Sequence, residues 1–170
     1  GTLNSITQSQ DSSIIGGSGN VIDGTGGTNN KHVIVGGNNN EITGSDGNRH
    51  FIGGGGSNKI HTSHNTLLMN TIVGGGNNII GGSGRGFIGG GDGNHIIASD
   101  NSAGAQDAHI IGGGTSNKIN LIGGTFGLGG SAILGGSTNE ITGSTASDFM
   151  VTAVIVGGSL NKIYTEESVN

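Results

Sequence analysis

The chain has 170 residues, of which 40 are Gly and none is Pro, Cys or Trp, and its formal net charge is −5. Without Pro or Cys it is neither collagen-like nor a disulfide scaffold, and it offers no cysteine for zinc binding or thiol catalysis. No apolar run approaches the roughly 18 residues of a membrane helix, and six Lys and Arg against eleven Asp and Glu argue against nucleic acid as the main partner.

An internal repeat dominates the sequence. Each unit consists of two apolar residues, Gly-Gly, a short polar stretch and Asn-x-Ile, as in Ile14-Ile15-Gly16-Gly17 followed by Asn20-Val21-Ile22. A degenerate unit, Leu121-Ile122-Gly123-Gly124, lacks the Asn-x-Ile and brings the total to nine. The pattern predicts a lead-in segment at 1–12, a repeat domain of about nine rungs at 13–163, and a polar tail at 164–170.

Each unit is typical of a strand, a sharp corner and a second strand, because β-branched pairs favour strands and Gly-Gly tolerates the backbone of a tight corner. Units of nearly constant length joined by variable connections indicate an all-β protein, a parallel β-solenoid. The predicted corner glycines are Gly16, Gly17, Gly36, Gly37, Gly53, Gly54, Gly74, Gly75, Gly89, Gly90, Gly112, Gly113, Gly135, Gly136, Gly157 and Gly158.

The asparagine of each unit has two interpretations. It forms a stacked amide ladder, since amides at one repeated position bond along a stack, or it merely adopts a turn conformation. The ladder residues would be Asn20, Asn40, Asn58, Asn78, Asn94, Asn117, Asn139 and Asn161. The x residue after each asparagine should face water, which predicts that Glu41 lies near Lys59, and Glu140 near Lys162, at about 5–8 Å.

The apolar doublet before each Gly-Gly predicts that the chain does not act alone. Neighbours along a strand point to opposite faces, so only one member of each doublet can fill the interior. The other members, taken as the first of each doublet or else as the alternate set, would form an inter-chain stripe covered by further copies of the chain. The first members are Ile14, Ile34, Phe51, Ile72, Phe87, Ile110, Leu121, Ile133 and Ile155. The competing interpretation is that inserted segments such as 67–69 or 149–151 fold over the stripe.

The pattern Ser-x-Ile-x-Gly-Gly-x-x-Asn-x-Ile, clearest at residues 13–22, resembles the Gly-rich repeats of trimeric autotransporter adhesin heads and of related phage and viral tail fibres. The resemblance covers about residues 13–163. It implies a left-handed β-roll, a side-by-side homotrimer and an extracellular place on a virion or a bacterial cell surface.

Other chemistry is weakly represented. The calcium motif Gly-Gly-x-Gly-x-Asp fails because Val21 stands where Asp is needed. His61 and His64 form His-x-x-His without further ligands, so no metal and no cofactor is expected. Three other histidines precede rung strands and are predicted to lie at the surface or at an interface: His32, His50 and His109. Carboxylates that stacked rungs could pair for catalysis are Asp92, Asp100, Asp107 and Asp148.

The sequence therefore predicts a non-enzymatic fibre or adhesin segment that binds a cell-surface glycan or receptor through its loops, without nucleic acid and without membrane insertion. The alternative is a polysaccharide-degrading β-helical tailspike, against which the 11- and 12-residue spacings around the degenerate unit argue. Ile34→Asp and Ile110→Asp are expected to dissociate the oligomer.

Overall fold

A computed structural model describes residues 1–24, 30–44, 48–62, 68–82, 84–99, 108–122, 129–144 and 152–166. These residues form seventeen short β-strands, all paired in parallel, and no helix. The prediction of an all-β parallel solenoid is confirmed. Within the described ranges no helix is long and apolar enough to cross a membrane.

Two parallel sheets form opposite sides of the solenoid. The eight-stranded sheet contains β2 (Ser13–Ile14), β4 (Val33–Ile34), β6 (Phe51–Ile52), β8 (Thr71–Ile72), β10 (Arg85–Ile88), β12 (Ala108–Ile111), β14 (Ala132–Ile133) and β16 (Val154–Ile155). The nine-stranded sheet contains β1 (Ser5–Thr7), β3 (Val21–Asp23), β5 (Glu41–Thr43), β7 (Lys59–His61), β9 (Ile79–Gly81), β11 (His95–Ser99), β13 (Lys118–Ile122), β15 (Glu140–Ser144) and β17 (Lys162–Glu166).

The asparagine of each unit sets the register of both sheets. Residues that lie at the same distance from this asparagine pair with each other in adjacent coils, as Ile34 does with Ile52 and Ile42 with Ile60. We therefore define a coil as the chain from one such asparagine to the next. Coils are 16 residues long at their shortest, from Asn78 to Asn94, and 23 at their longest, from Asn94 to Asn117.

The degenerate unit is not a rung of its own, and counting it as a ninth Gly-Gly rung is wrong. Leu121 and Ile122 are the last residues of β13, where they pair with Gly143 and Ser144 of β15. Gly123 and Gly124 lie outside the described residues. The 11- and 12-residue spacings therefore belong to one ordinary coil, and they no longer argue against a larger β-helix.

Both ends of the repeat extend beyond the predicted limits. Ser5–Thr7 of the supposed lead-in form β1, which pairs with β3, and the Asn20 N–H donates to Asn4 Oδ1 at 3.0 Å. Asn4 thus occupies the repeated asparagine position without a preceding Gly-Gly pair. At the other end, β17 runs into the supposed polar tail, as far as Glu166.

Isoleucine fills most of the centre of the solenoid. One column lies six residues before each asparagine and the other two residues after it, on the inner faces of the two sheets. Ile52, Ile60, Ile72 and Ile80 are fully buried examples. Identical β-branched side chains stacked about 4.8 Å apart pack well on pleated sheets. At about 2 kcal/mol for each buried side chain, these columns are the main apolar contribution to folding.

The tight corner lies three residues before each asparagine. Gly37 and Gly55 have φ of 86° and 85°, and a Cβ on Gly55 would collide with the carbonyl oxygen of Gly75 in the next coil. Three of the predicted Gly-Gly pairs start one residue too early, because these coils carry an extra glycine five residues before the asparagine. Gly53, Gly89 and Gly112 consequently come directly after strands β6, β10 and β12, and the corner residues of these coils are Gly55, Gly91 and Gly114.

Candidate interaction surface

The outward side of the eight-stranded sheet is the most distinctive surface of the described structure. It consists of two columns, seven and five residues before each asparagine, which we call the outer apolar face. The first column is Ser13, Val33, Phe51, Thr71, Phe87, Ile110, Ala132 and Val154, and the second is Ile15, Val35, Gly53, Val73, Gly89, Gly112, Leu134 and Val156. Exposed fractions reach 71% for Ile15 and 73% for Val156.

The structure divides the first members of the doublets between inside and outside. Phe51, Phe87 and Ile110 face outward, with 37%, 39% and 42% of their surface exposed. For the other first members the outward assignment is wrong: Ile34, Ile72, Ile133 and Ile155 are buried, while Ile14 and Leu121 are half-buried against the core. The reason is the extra glycine five residues before the asparagine, which shifts the doublet by one residue in three coils.

Large and small side chains alternate across the outer apolar face in a compensating way. Where the first column holds Phe51, Phe87 or Ile110, the second column holds Gly. The Phe51 ring leans over Gly53, since a Cβ on Gly53 would lie 3.2 Å from Phe51 Cε1. In every other coil the second column supplies Ile, Val or Leu. Each coil therefore presents at least one large apolar side chain, and the face is continuous.

The size of this face is that of a contact surface. Eight strands about 4.8 Å apart, with two columns each, cover roughly 400 Å², the size at which an exposed apolar patch marks an interaction site. None of its residues is charged. In the competing interpretation, Leu68 would cover it, but Leu68 is buried and lies two residues before the buried Asn70, which places it on the inner side of the chain. Residues 67 and 149–151 of that interpretation lie outside the described residues.

The nine-stranded sheet presents a different surface, on which charges are paired. Lys59 Nζ lies 3.0 Å from Glu41 Oε2, and Lys162 Nζ lies 2.7 Å from Glu140 Oε2, so both predicted neighbours are confirmed. The hydrogen bond from Lys162, followed by one from Thr142, holds the pKa of Glu140 below its usual value. These paired charges distinguish this surface from the outer apolar face, which has no charged residue.

The asparagines of successive coils are joined by hydrogen bonds, which go mainly to the backbone. Asn78 Nδ2 donates to the carbonyl oxygens of Gly74 and Gly91 at 3.0 Å each, and Asn78 Oδ1 accepts the Asn94 N–H at 3.0 Å. The turn conformation belongs instead to the preceding residue, such as Asn77, whose φ is 52°. The ladder closes the corner end of the interior and satisfies backbone groups that water cannot reach.

The prediction that His32, His50 and His109 lie at the surface or at an interface is wrong, because they are 0%, 1% and 0% exposed. Each lies two residues before an inward isoleucine and therefore points to the same, inner face; this even spacing was the signal in the sequence. His32 Nδ1 accepts the His50 N–H at 3.2 Å, and His50 Nδ1 accepts the Asn70 N–H at 3.2 Å.

The buried histidines are neutral near pH 7. Burial lowers the pKa of His32 and of His109 to about 4. Burial, followed by the neighbouring His32, lowers the pKa of His50 to about 3. The His32 and His50 rings stack with centroids 4.9 Å apart, and His50 Nε2 lies 3.0 Å from Thr62 Oγ1. Because Nδ1 of both rings accepts a backbone N–H, the proton resides on Nε2.

The remaining candidates do not converge. His61 is exposed on the nine-stranded sheet, whereas His64, Asp100, Asp107 and Asp148 lie outside the described residues. Asp92 is exposed at the corner, where its Oδ1 accepts the Asn77 amide at 3.0 Å. No group of three or more His, Cys, Asp or Glu side chains that could hold a metal ion occurs in the described part of the chain.

Comparisons of the chain with protein-family models, with curated proteins and with solved structures found no match.

Proposed function

We propose that this chain is a segment of a non-enzymatic extracellular attachment fibre, in which three copies pack side by side and their loops bind a host or surface receptor. The observation that carries this proposal is the outer apolar face. Burying it in a single chain would require a cover that the described residues do not supply, whereas a repeating face matches a second copy in parallel at every coil. The resemblance to adhesin heads and tail fibres supports three copies and a place on a virion or a bacterial cell surface.

The test is the native mass of the purified chain. The variants are chosen by whether the replaced side chain points outward or into the solenoid. Ile110→Asp places a charge on the outer apolar face and should convert the oligomer to folded monomers. Ile34→Asp no longer suits this purpose, because Ile34 is buried within its own chain and its replacement should unfold the coil instead. Lys118→Asp, on the outer side of the nine-stranded sheet, is the matched control and should keep the oligomer. A monomeric wild-type chain overturns the proposed assembly.

A second candidate function is a polysaccharide-cleaving spike. It is favoured by one observation, the 16–23-residue coils, which suit the larger β-helices of such enzymes. Release of reducing sugar from capsular or surface polysaccharides, abolished by Asp107→Asn or Asp148→Asn, would support it. Absence of release together with a trimeric mass supports the fibre.

A further inference from the structure

We infer that one edge of the outer apolar face is a binding strip for an acidic polysaccharide, an inference that rests on the proposed attachment function and names its ligand class. The strip is the outward column nine residues before the asparagine, where Lys31, Arg49, Met69 and Arg85 follow one another in successive coils. The backbone fixes their order. The Lys31 N–H donates to Asn48 O at 3.0 Å, the Arg49 N–H to Leu68 O at 2.9 Å and the Met69 N–H to Gly84 O at 3.0 Å.

The concentration of positive charge in this column is unusual for this chain. Only six residues are Lys or Arg in a chain with net charge −5, yet three of them share one column over four coils. Lys31 and Arg49 are register neighbours, about 4.8 Å apart along the sheet. Like charges directly opposite each other destabilise a sheet, so this arrangement opposes folding rather than assisting it.

Two of these charges, those of Lys31 and Arg49, are not paired as the charges on the other sheet are. There, Lys59 and Lys162 each lie beside a carboxylate of the adjacent coil. Lys31 and Arg49 are exposed, and neither makes an ion pair within the described ranges. Asp11 occupies the same column one coil earlier, and it too forms no ion pair with Lys31. Among the described residues, no aromatic ring lies over Arg49, and the neighbouring Phe51 ring leans over Gly53.

The geometry fits a linear polyanion that runs along the solenoid axis. Lys31 and Arg49 are one coil apart, about 4.8 Å, and Arg49 and Arg85 are two coils apart, about 9.6 Å. These spacings match a ligand that carries one acidic group on each sugar ring. Guanidinium binds carboxylate or sulfate through two parallel hydrogen bonds, and ammonium binds as a point charge. Nucleic acid is disfavoured because the remainder of the chain repels it. The strip borders the outer apolar face, so the ligand would lie along the rim of the contact between copies, where interfaces are polar.

The experiment measures binding of the full chain to polygalacturonate, dextran sulfate, neutral dextran and duplex DNA at two salt concentrations. We expect both acidic polysaccharides to bind and neutral dextran not to bind, with affinity falling as salt rises. The carboxylated and sulfated probes distinguish the two acidic chemistries. Lys31→Gln with Arg49→Gln should weaken binding at least tenfold. The charge-matched control, Lys118→Gln with Lys162→Gln, should change binding less than twofold.

Three outcomes overturn the strip: wild-type chain that binds neither polyanion, equal loss in the control variant, or tighter binding of DNA than of either polysaccharide. Native mass on the same samples separates this result from the proposed function. An intact oligomer without polyanion binding overturns the strip alone, whereas a monomer overturns the assembly.

Discussion

At the scale of single residues, the amide side chain of each ladder asparagine replaces a strand partner that the corner cannot provide. Asn78 is 0% exposed and bonds to two glycine carbonyls and to the next asparagine N–H. Neither hydroxyl nor carboxylate side chains offer two donors and an acceptor together. The recurrence of Asn at this position therefore follows from hydrogen-bonding capacity.

Asn78→Ala should lower the free energy of unfolding by about 2–4 kcal/mol, because it leaves several buried backbone groups without partners. Urea unfolding followed by circular dichroism measures this change. Asn38→Ala is the control, since Asn38 is exposed at the corner, and it should change stability by less than about 0.5 kcal/mol. Equal effects of the two variants would contradict the structural role of the ladder.

The residue before the asparagine has a left-handed backbone even where the side chain disfavours it. Thr138 has φ of 55° although it is β-branched, a conformation that only Gly and, less readily, Asn and Asp adopt with ease. Thr138→Asn should therefore raise the melting temperature, by the equivalent of about 1 kcal/mol. Ser137→Asn, one residue earlier and without positive φ, should leave it unchanged. A decrease in the Thr138 variant would show that the hydroxyl contributes more than the backbone strain removes.

At the scale of elements, the alternation along β4 and β6 explains what sequence could and could not predict. That these segments are strands, that they stack in parallel and that Asn aligns them all follow from the repeat. Which member of an apolar doublet points inward does not follow from the doublet, because both members are apolar. The inward member is the one that lies six residues before the asparagine. Ile34 and Ile52 both lie at that distance, although Val35 separates Ile34 from the glycines and Gly53 follows Ile52 directly.

The inward polar column of the eight-stranded sheet, eight residues before each asparagine, also could not be predicted from residue identity alone. His32, His50 and Asn70 stand at one position of successive coils and each accepts the next backbone N–H. Sequence offered no constant residue type there, only an even spacing from the inward isoleucine. Shared hydrogen-bonding capacity, not shared identity, defines this column, and it becomes visible only when the register is known.

This column predicts acid sensitivity. In the unfolded chain the histidine pKa is near 6.5, and in the folded chain it is about 4 for His32 and about 3 for His50. Above pH 6.5 both states are neutral and stability does not depend on these groups. As pH falls below 6.5 the unfolded chain takes up protons first, so stability falls until the folded pKa is reached, by about 3 kcal/mol for a shift like that of His32.

The test is the melting temperature between pH 7.5 and 4 for the wild type and for His32→Asn with His50→Asn. Asn fits because Asn70 already fulfils the same role, its Oδ1 accepting the Gly86 N–H. We expect the variant to match the wild type at pH 7.5 and to lose stability less steeply below pH 6. His61→Asn, at an exposed position, should follow the wild-type curve. Identical slopes for all three chains would assign the acid sensitivity to other groups.

At the scale of the whole molecule, the solenoid is a one-dimensional array in which each coil contacts mainly its two neighbours. A coil can be added or removed without changing either column of isoleucine, provided that each strand keeps its distance to the asparagine of its own coil. Variation in coil length between 16 and 23 residues falls between a strand of the nine-stranded sheet and the next strand of the eight-stranded sheet, because the spacing from the inward isoleucine of the eight-stranded sheet, through the asparagine, to the inward isoleucine of the nine-stranded sheet is constant.

Deletion of Lys118–Asn139 should therefore yield a folded, shorter solenoid. It joins Asn117 to Glu140, so β11 would pair with β15 and Ile141 would replace Ile119 in the inner column. Deletion of one further residue, Lys118–Glu140, joins Asn117 to Ile141, which then faces water while Thr142 faces the core. A one-residue slip exchanges the two faces of a strand, so this second chain should unfold at lower urea or aggregate. Far-UV circular dichroism and urea unfolding distinguish them: the first should keep a cooperative transition with a denaturant slope smaller by roughly one eighth. If both deletions behave alike, the spacing between the asparagine and the inward isoleucine does not set the register.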